Sequence, residues 1–333
     1  MNEMYDFIII GFVDSIMFFH SVELFSDLMK LIDKTVYTIR SKTIKKEQIP
    51  LLEQAKCIIL YRPLEICPVI REVCDKFEIP LGYLIDDNLF YGVNDSVFPF
   101  NKQLSYKENI KHVDFCCAHS KILAKALQEI NPNSFCLGPI PIWKERFTSR
   151  NIPLPLPVNL KRIRIGLIAG PSHQHPLRSQ VRFIAQIDGI DVVYFGPKVT
   201  NIKTKSVVEH YNYKCGPIKW YSILHRLRLN IIYAELEDHV LYESKGNLKF
   251  RESAFMKVPL VVVDPTQKVY TCIENGINGY SVRTRKEALM ILKDLVSHPN
   301  KIIRLGESAY NTLISINPKV NAQQIYDILP KRK

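Results

Sequence analysis

Cys57-Ile58-Ile59-Leu60-Tyr61, followed after a helix-like stretch by Leu81-Gly82-Tyr83-Leu84-Ile85-Asp86-Asp87, decides the fold class of this chain. The first run is apolar without alternation, the pattern of a parallel strand covered on both faces. Cys67 to Phe77 reads as the helix between the two runs. The rhythm extends outward from this unit. Phe7–Phe12 reads as a strand, Val22–Ile32 as a helix with an apolar stripe, and Thr35–Ile39 as a short strand. Leu51–Ala55 ends a short helix, and Asp114–Ala118 with the helix Ser120–Ile130 makes a further unit. Strand and helix in alternation predict a doubly wound α/β domain.

Pro139, Pro141, Pro153, Pro155 and Pro157 interrupt the pattern, and no regular element runs through them. The rhythm then restarts. Arg162–Ile168, Asp191–Phe195, Asn230–Ala234 and Pro259–Val263 read as strands. Leu177–Ile187, Trp220–Leu227, a short helix after Val263, Lys286–Val296, Ile302–Leu313 and Gln323–Ile328 read as helices. The organisation is therefore residues 1–140, a Pro-rich linker at 141–160, a second domain at 161–315, and a helix with a basic tail at 316–333. Two such α/β domains would face each other across a cleft at their strand carboxyl ends, where ligands bind in open sheets.

The 333 residues are 47% hydrophobic and 23% charged, an ordinary globular composition with enough length for two cores. The formal net charge of +12 fits an anionic small substrate, an anionic membrane surface or nucleic acid. Nucleic acid is disfavoured, because the basic residues are dispersed and no zinc module or RNP-like pattern is present. The eight cysteines form no CxxC pair and no zinc-ligand spacing, so no metal is expected and a reducing cytosol is the better compartment. Phe7–Phe19 is too short to span a bilayer and contains Asp14. It reads as the first buried strand turning into a helix rather than as a signal peptide.

Four places carry candidate chemistry. In the first, Lys245-Gly246-Asn247-Leu248-Lys249-Phe250-Arg251-Glu252 places Lys245 and Lys249 four apart, on one face if helical, with Glu252 three beyond. Lysines and the amides of a helix start suit a diphosphate, and a carboxylate accepts sugar or ribose hydroxyls. A solvated helix face is the plainer reading. In the second, Asp86 and Asp87 close a strand, where they could orient an acceptor hydroxyl, act as a base, bind a metal as a pair, or cap a helix. His119 and Arg62 follow neighbouring strands. In the third, Gly170, Ser172 and His173 follow the first strand of the second domain and could touch phosphate or sugar, without forming a GxGxxG fingerprint. In the fourth, Glu274-Asn275-Gly276-Ile277-Asn278-Gly279 is a glycine-punctuated turn.

Taken together, these motifs resemble the GT-B-fold retaining glycosyltransferases of the "group 1" class, especially those of bacterial surface-polysaccharide biosynthesis. Leu236-Glu237-Asp238, Lys245 to Glu252 and Pro259 to Asp264 match their donor-site region in order. Glu274-Asn275-Gly276 with Asn278-Gly279 resembles their "dG.nG" turn. Leu84-Ile85-Asp86-Asp87-Asn88-Leu89-Phe90 resembles the "DiDDdlf" signature of a subgroup, and Tyr61-Arg62-Pro63 its preceding arginine strand. Many members carry a glutamate eight positions before the one matched by Glu252, where this chain has Ser244. The usual basic pair after Gly170 is not evident either.

The resemblance implies two Rossmann-like domains, with a nucleoside-diphosphate sugar held mainly by the second and no bound cofactor or divalent metal. Gly170, Ser172, His173, Lys245, Lys249 and Glu252 would then bind the donor, and Asp87, Asp86 and His119 would be catalytic on the acceptor side. It implies a hexosyltransferase-like, retaining enzyme acting on a glycan or lipid-linked acceptor, as in lipopolysaccharide synthesis. Such an enzyme would be cytoplasmic, with peripheral contact to the anionic cytosolic face of the inner membrane. A non-catalytic GT-B-like sugar-nucleotide-binding or partner subunit is the alternative, and a phosphorylase or epimerase could share the two-domain plan.

Overall fold

The computed structural model describes residues 4–11, 19–41, 44–62, 65–86, 100–138, 141, 145, 160–168, 174–202, 204, 206–211, 217–237 and 243–332. The chain divides into two units. One is Met1–Pro141 with Ser244–Gly246 and Asn317–Lys333, and the other is Ile142–Glu243 with Asn247–Ile316.

The first unit is built on a six-stranded, wholly parallel sheet. Its strands are β1 (Phe7–Gly11), β2 (Val36–Ile39), β3 (Ile58–Tyr61), β4 (Leu81–Ile85), β5 (Phe115–Ala118) and β6 (Ser134–Cys136), in the order β2-β1-β3-β4-β5-β6. Helices α1 (Leu24–Lys30), α2 (Ile49–Leu52), α3 (Pro68–Phe77), α4 (Phe100–Lys111) and α5 (Lys121–Gln128) connect them. β1, β3, β4 and β5 are buried along their whole length, as their apolar runs require.

The second sheet is also six-stranded and parallel. It contains β7 (Ile163–Ile168), β8 (Ile190–Phe195), β9 (Val208–Tyr211), β10 (Ile231–Glu235), β11 (Leu260–Val263) and β12 (Tyr280–Val282), in the order β12-β11-β10-β7-β8-β9. Its helices are α6 (Gln174–Ile184), α7 (Pro217–Leu227), α8 (Leu248–Phe255), α9 (Arg285–Ser297) and α10 (Asn300–Ile314). Gly306 lets α10 close onto the end of α8, because a Cβ there would lie 2.0 Å from the Lys257 carbonyl oxygen. Strand order reverses between β1 and β3 in the first sheet and between β7 and β10 in the second. These are the topological switch points, outside whose carboxyl ends ligands bind.

Two strands that no apolar run announces, β9 and β12, are sheet edges with partly exposed, mixed sequences. Helix α4 also escaped it, because half of its buried stripe is polar: Gln103 and Asn109 share that stripe with Tyr106 and Ile110. The short helix expected after Val263 is instead a series of turns. The buried Asp264 carboxylate accepts the Gln267 and Val269 amides and the Thr266 hydroxyl, which holds the backbone in a turn. Most of the Pro-rich linker lies outside the described residues.

The last helix, α11 (Pro318–Ile328), packs on the first unit against α1. The Tyr326 ring meets Phe7 edge-on at 5.8 Å, lies 4.5 Å below the Lys34 ammonium, and donates its hydroxyl to Asp6 Oδ1 at 3.3 Å. The terminal basic residues are tied down too. The Arg332 amide donates to the Lys56 carbonyl at 2.7 Å, and the Lys331 ammonium lies 4.0 Å from the Tyr326 ring centroid.

Asp6 is the hub at the amino end of this sheet. Its carboxylate takes the Thr35 amide at 2.9 Å and the Lys56 ammonium at 3.0 Å. Burial alone would raise its pKa, but the Thr35 amide and Lys56 outweigh it and hold the carboxyl below its usual 3.8. A carboxyl depressed in the folded state stabilises the fold above its unfolded pKa, and that contribution is lost as pH falls through the folded value. Asp6→Asn is therefore expected to unfold at lower urea than wild type at pH 7. The gap should narrow below about pH 4, where the unfolded carboxyl protonates. A gap unchanged from pH 7 to pH 3 would show that Asp6 acts through shape alone.

Candidate functional site

At the switch point of the first sheet, Tyr61 ends β3 and Arg62 follows it with φ of 49°, a left-handed backbone that costs a non-glycine residue roughly 1–2 kcal/mol. Such strain persists only where surrounding contacts over-determine it, and it gathers at functional sites. Here the Arg62 amide donates to the Leu84 carbonyl at 3.2 Å, and its Nη1 lies 3.0 Å from Asp86 Oδ1. The Tyr61 hydroxyl donates to Asp86 Oδ2 at 3.0 Å.

Asp86 is 4% exposed, so its carboxylate is committed to Tyr61 and Arg62 rather than presented to solvent. Tyr83 and Tyr106 are buried in the same cluster. Burial pushes the Tyr61, Tyr83 and Tyr106 hydroxyls upward, while the Arg62 charge opposes the rise at each. Asp87 lies outside the described residues.

His119 follows β5, with Nδ1 3.4 Å from the Gly138 carbonyl oxygen. Ser120 caps α5 by accepting the Leu123 amide at 3.1 Å, and its hydroxyl donates to the Ser244 carbonyl at 2.7 Å. That bond holds Ser244–Gly246 against the β5–α5 turn, and a Cβ on Gly246 would be 3.9 Å from the His119 Cβ. Lys245 therefore groups with His119 in the first unit. It does not share a helix face with Lys249, because α8 begins only at Leu248.

In the second unit, the Lys249 ammonium donates to the carbonyl of Ile168, the last residue of β7. This anchors the first turn of α8 at the carboxyl end of a switch-point strand. The reading of this segment as a solvated helix face fails. Phe250 through Phe255 are all buried, Arg251 is 8% exposed and Glu252 4%. Glu252 Oε1 accepts the indole N–H of the fully buried Trp220 at 3.1 Å. Burial depresses the Arg251 guanidinium, opposed by Tyr221 and the adjacent Glu252. Gly170, Ser172 and His173, between β7 and α6, lie outside the described residues.

The glycine-punctuated turn has a structural explanation. The Asn278 carboxamide accepts the Glu274 amide at 2.8 Å and donates to the Cys272 carbonyl at 3.0 Å, while Asn275 bonds both ways to Ser281. Gly276 has φ of 79°, and a Cβ on Gly279 would lie 2.9 Å from the Leu260 carbonyl oxygen. The turn thereby secures β12 beside β11.

Trp220 and Arg251 have no role in the sequence alone: the adjacent Arg251-Glu252 charges mark the second, and no local pattern marks the first. Arg62 is likewise noted there without a role. Among the described residues, no group of three His, Cys, Asp or Glu side chains is arranged to hold a metal, and no helix is long and apolar enough to cross a membrane.

Removing one partner of a buried ion pair costs roughly 3–5 kcal/mol. Asp86→Ala is accordingly expected to lower the urea midpoint sharply, whereas Tyr61→Phe, which removes one hydrogen bond, should cost about 1 kcal/mol. Equal losses in the two variants would refute the central place given to the Arg62–Asp86 pair.

No protein-family model matches the chain, and no curated protein matches it in sequence. Solved structures do match it in fold. TarM is 16% identical with a TM-score of 0.60 over 83% of this chain, and the chain spans just over half of TarM, 55% of its length. A mutant TarM from S. aureus in complex with UDP matches similarly, at 13% identity and a TM-score of 0.59. Sucrose-phosphate synthase from Thermosynechococcus elongatus is 10% identical with a TM-score of 0.61, covering 97% of this chain and 98% of its own. A protein described as a UDP-N-acetylglucosamine 2-epimerase from Listeria monocytogenes is 10% identical with a TM-score of 0.52, covering 96% and 95%. The chain has the GT-B fold, two Rossmann-like units each built on a parallel sheet flanked by helices.

Proposed function

We propose that this protein is a glycosyltransferase that moves a sugar from a nucleoside-diphosphate donor to a glycan or lipid-linked acceptor. The observation that carries this reading is α8. It is a buried helix bearing Lys249, Arg251 and Glu252, with its first turn anchored at the carboxyl end of β7 beside the switch point. Burying charges costs free energy that a solvated face would avoid, so their retention here needs a ligand or a strict geometric duty.

In the proposed reaction, the bond between the sugar C1 and the diphosphate oxygen breaks and a bond from C1 to the acceptor oxygen forms. The acceptor hydroxyl passes its proton to the departing diphosphate oxygen. Lys249 and the positive end of the α8 dipole meet the charge that develops on the departing diphosphate. Lys245, Gly170, Ser172 and His173 complete the phosphate and sugar contacts, and Glu252 accepts a donor hydroxyl. Asp87 and His119 serve the acceptor. Asp86 acts as a positioning residue that holds Arg62 and Tyr61. Retention at C1, independence of divalent metal, and work at an anionic cytosolic membrane face in surface-polysaccharide synthesis belong to the same proposal. The UDP bound to the TarM mutant and the net charge of +12 support it.

The end-to-end likeness to the epimerase favours one second reading, in which the sugar nucleotide is rearranged rather than transferred. Calorimetric titration with UDP, GDP, ADP and CMP tests both. One nucleotide is expected to bind, with Lys249→Ala weakening it roughly 10–100-fold, as loss of a charge-assisted hydrogen bond does. Glu252→Gln should weaken the nucleotide sugar more than the bare nucleotide. Release of free nucleotide only with acceptor present identifies a transferase, and a changed sugar still joined to its nucleotide identifies an epimerase. A folded protein that binds none of the four nucleotides refutes both.

A further inference from the structure

On the outer helix layer of the second unit, Arg178, Ser179, Arg182, Phe183, Gln186 and Arg285 line an open groove of about 430 Å3. None of these residues holds Lys249 or Glu252. The lining has three guanidinium groups and no carboxylate. Arg178, Arg182 and Gln186 follow at successive turns along the exposed face of α6 and its end, while Leu177, Val181 and Ile184 face the core.

Like charges four apart on a helix repel. Only Arg182 finds partial relief, from the Thr200 carbonyl at 3.5 Å, and Arg178 makes no ion pair among the described residues. Arg285 is held rigidly from the other wall. Its Nε and Nη2 donate to Glu235 Oε1 and Oε2 at 2.9 and 2.6 Å, and the guanidinium lies 5.4 Å from the Phe183 ring centroid. Phe183 is itself set by Tyr233, 5.8 Å away between centroids. Glu235 also accepts the Tyr233 hydroxyl at Oε1, so its carboxylate is shared between Tyr233 and Arg285.

We propose that this groove is a phosphate-binding site distinct from the donor site. The two adjustable guanidinium forks of Arg178 and Arg182, with the outer Nη1 edge of Arg285 fixed beside them, suit a multiply charged, tetrahedral oxyanion. Arginine offers paired donors to phosphate oxygens where lysine offers a point charge. The chemistry is that of a phosphate group, carried by a soluble phosphate or pyrophosphate or by an anionic lipid headgroup. The proposal stands independently of the glycosyltransferase reading.

The test uses the full chain carrying Lys249→Ala, so that the proposed donor site does not report. Pyrophosphate is titrated calorimetrically at low ionic strength, and sedimentation is measured with phosphatidylglycerol and with phosphatidylcholine vesicles. Arg178→Gln with Arg182→Gln is compared with Lys293→Gln plus Arg304→Gln, which removes the same charge from exposed positions elsewhere. At least a tenfold loss of binding confined to the groove pair is expected. Loss seen with pyrophosphate assigns a soluble ligand, and loss seen only with phosphatidylglycerol vesicles assigns a headgroup. Equal behaviour of the two double variants, or no binding in either arm, overturns the proposal.

Discussion

A parallel sheet covered on both faces leaves its polar chemistry nowhere to go but its ends, and this constraint organises the molecule. The interior strands of each unit are buried and almost wholly apolar. Asp6 therefore stands at the amino end of the first sheet, where it gathers Thr35, Lys56 and Tyr326. Arg62 and Asp86 stand at the carboxyl end, where the strand order reverses. The second unit repeats the logic with Lys249 on the last carbonyl of β7. In the first sheet the amino end is closed by the Asp6 network, and the carboxyl end is the side on which ligands bind in open sheets.

The two candidate regions hold their charges differently. In the first unit the Arg62–Asp86 pair is internally compensated, with Tyr61 as a further donor, and the cost falls on the backbone of Arg62. In the second, Arg251 and Glu252 are neighbours in sequence on a helix that is buried on every side. There the cost falls on desolvation, seen in the depressed Arg251 guanidinium. Either arrangement is expensive for a protein that needs only to stay folded.

The fold was legible because interior parallel strands announce themselves as unbroken apolar runs. Leu81–Ile85 has the bounds its sequence implied, and most of the other interior strands differ by a residue at an end. Edge strands such as Val208–Tyr211 carry no such run, and α4 hides its stripe behind Gln103 and Asn109. The candidate site was less legible, because spacing along a chain does not reveal burial. Lys245 and Lys249 looked like one helix face and are not, since the helix starts between them. Glu252 looked solvent-facing and is instead bonded to an indole thirty-two positions earlier, a contact no local pattern encodes. The asparagine-glycine turn was noticed for its resemblance to a binding motif, and its side chains are spent on holding the turn itself.

The return of α11 to the first unit has a consequence for how the protein is made. Asp6 and Tyr326 are separated by 320 positions, yet they meet beneath the same sheet end. At roughly 5–20 residues per second, a ribosome needs about 16–64 s to supply the partner of β1 after β1 itself has emerged. During that interval the Phe7 ring and the α1 face that α11 will cover are open to solvent or to a chaperone. The second unit, by contrast, is complete before α11 is made. The unit begun first is therefore completed only once α11 has been made.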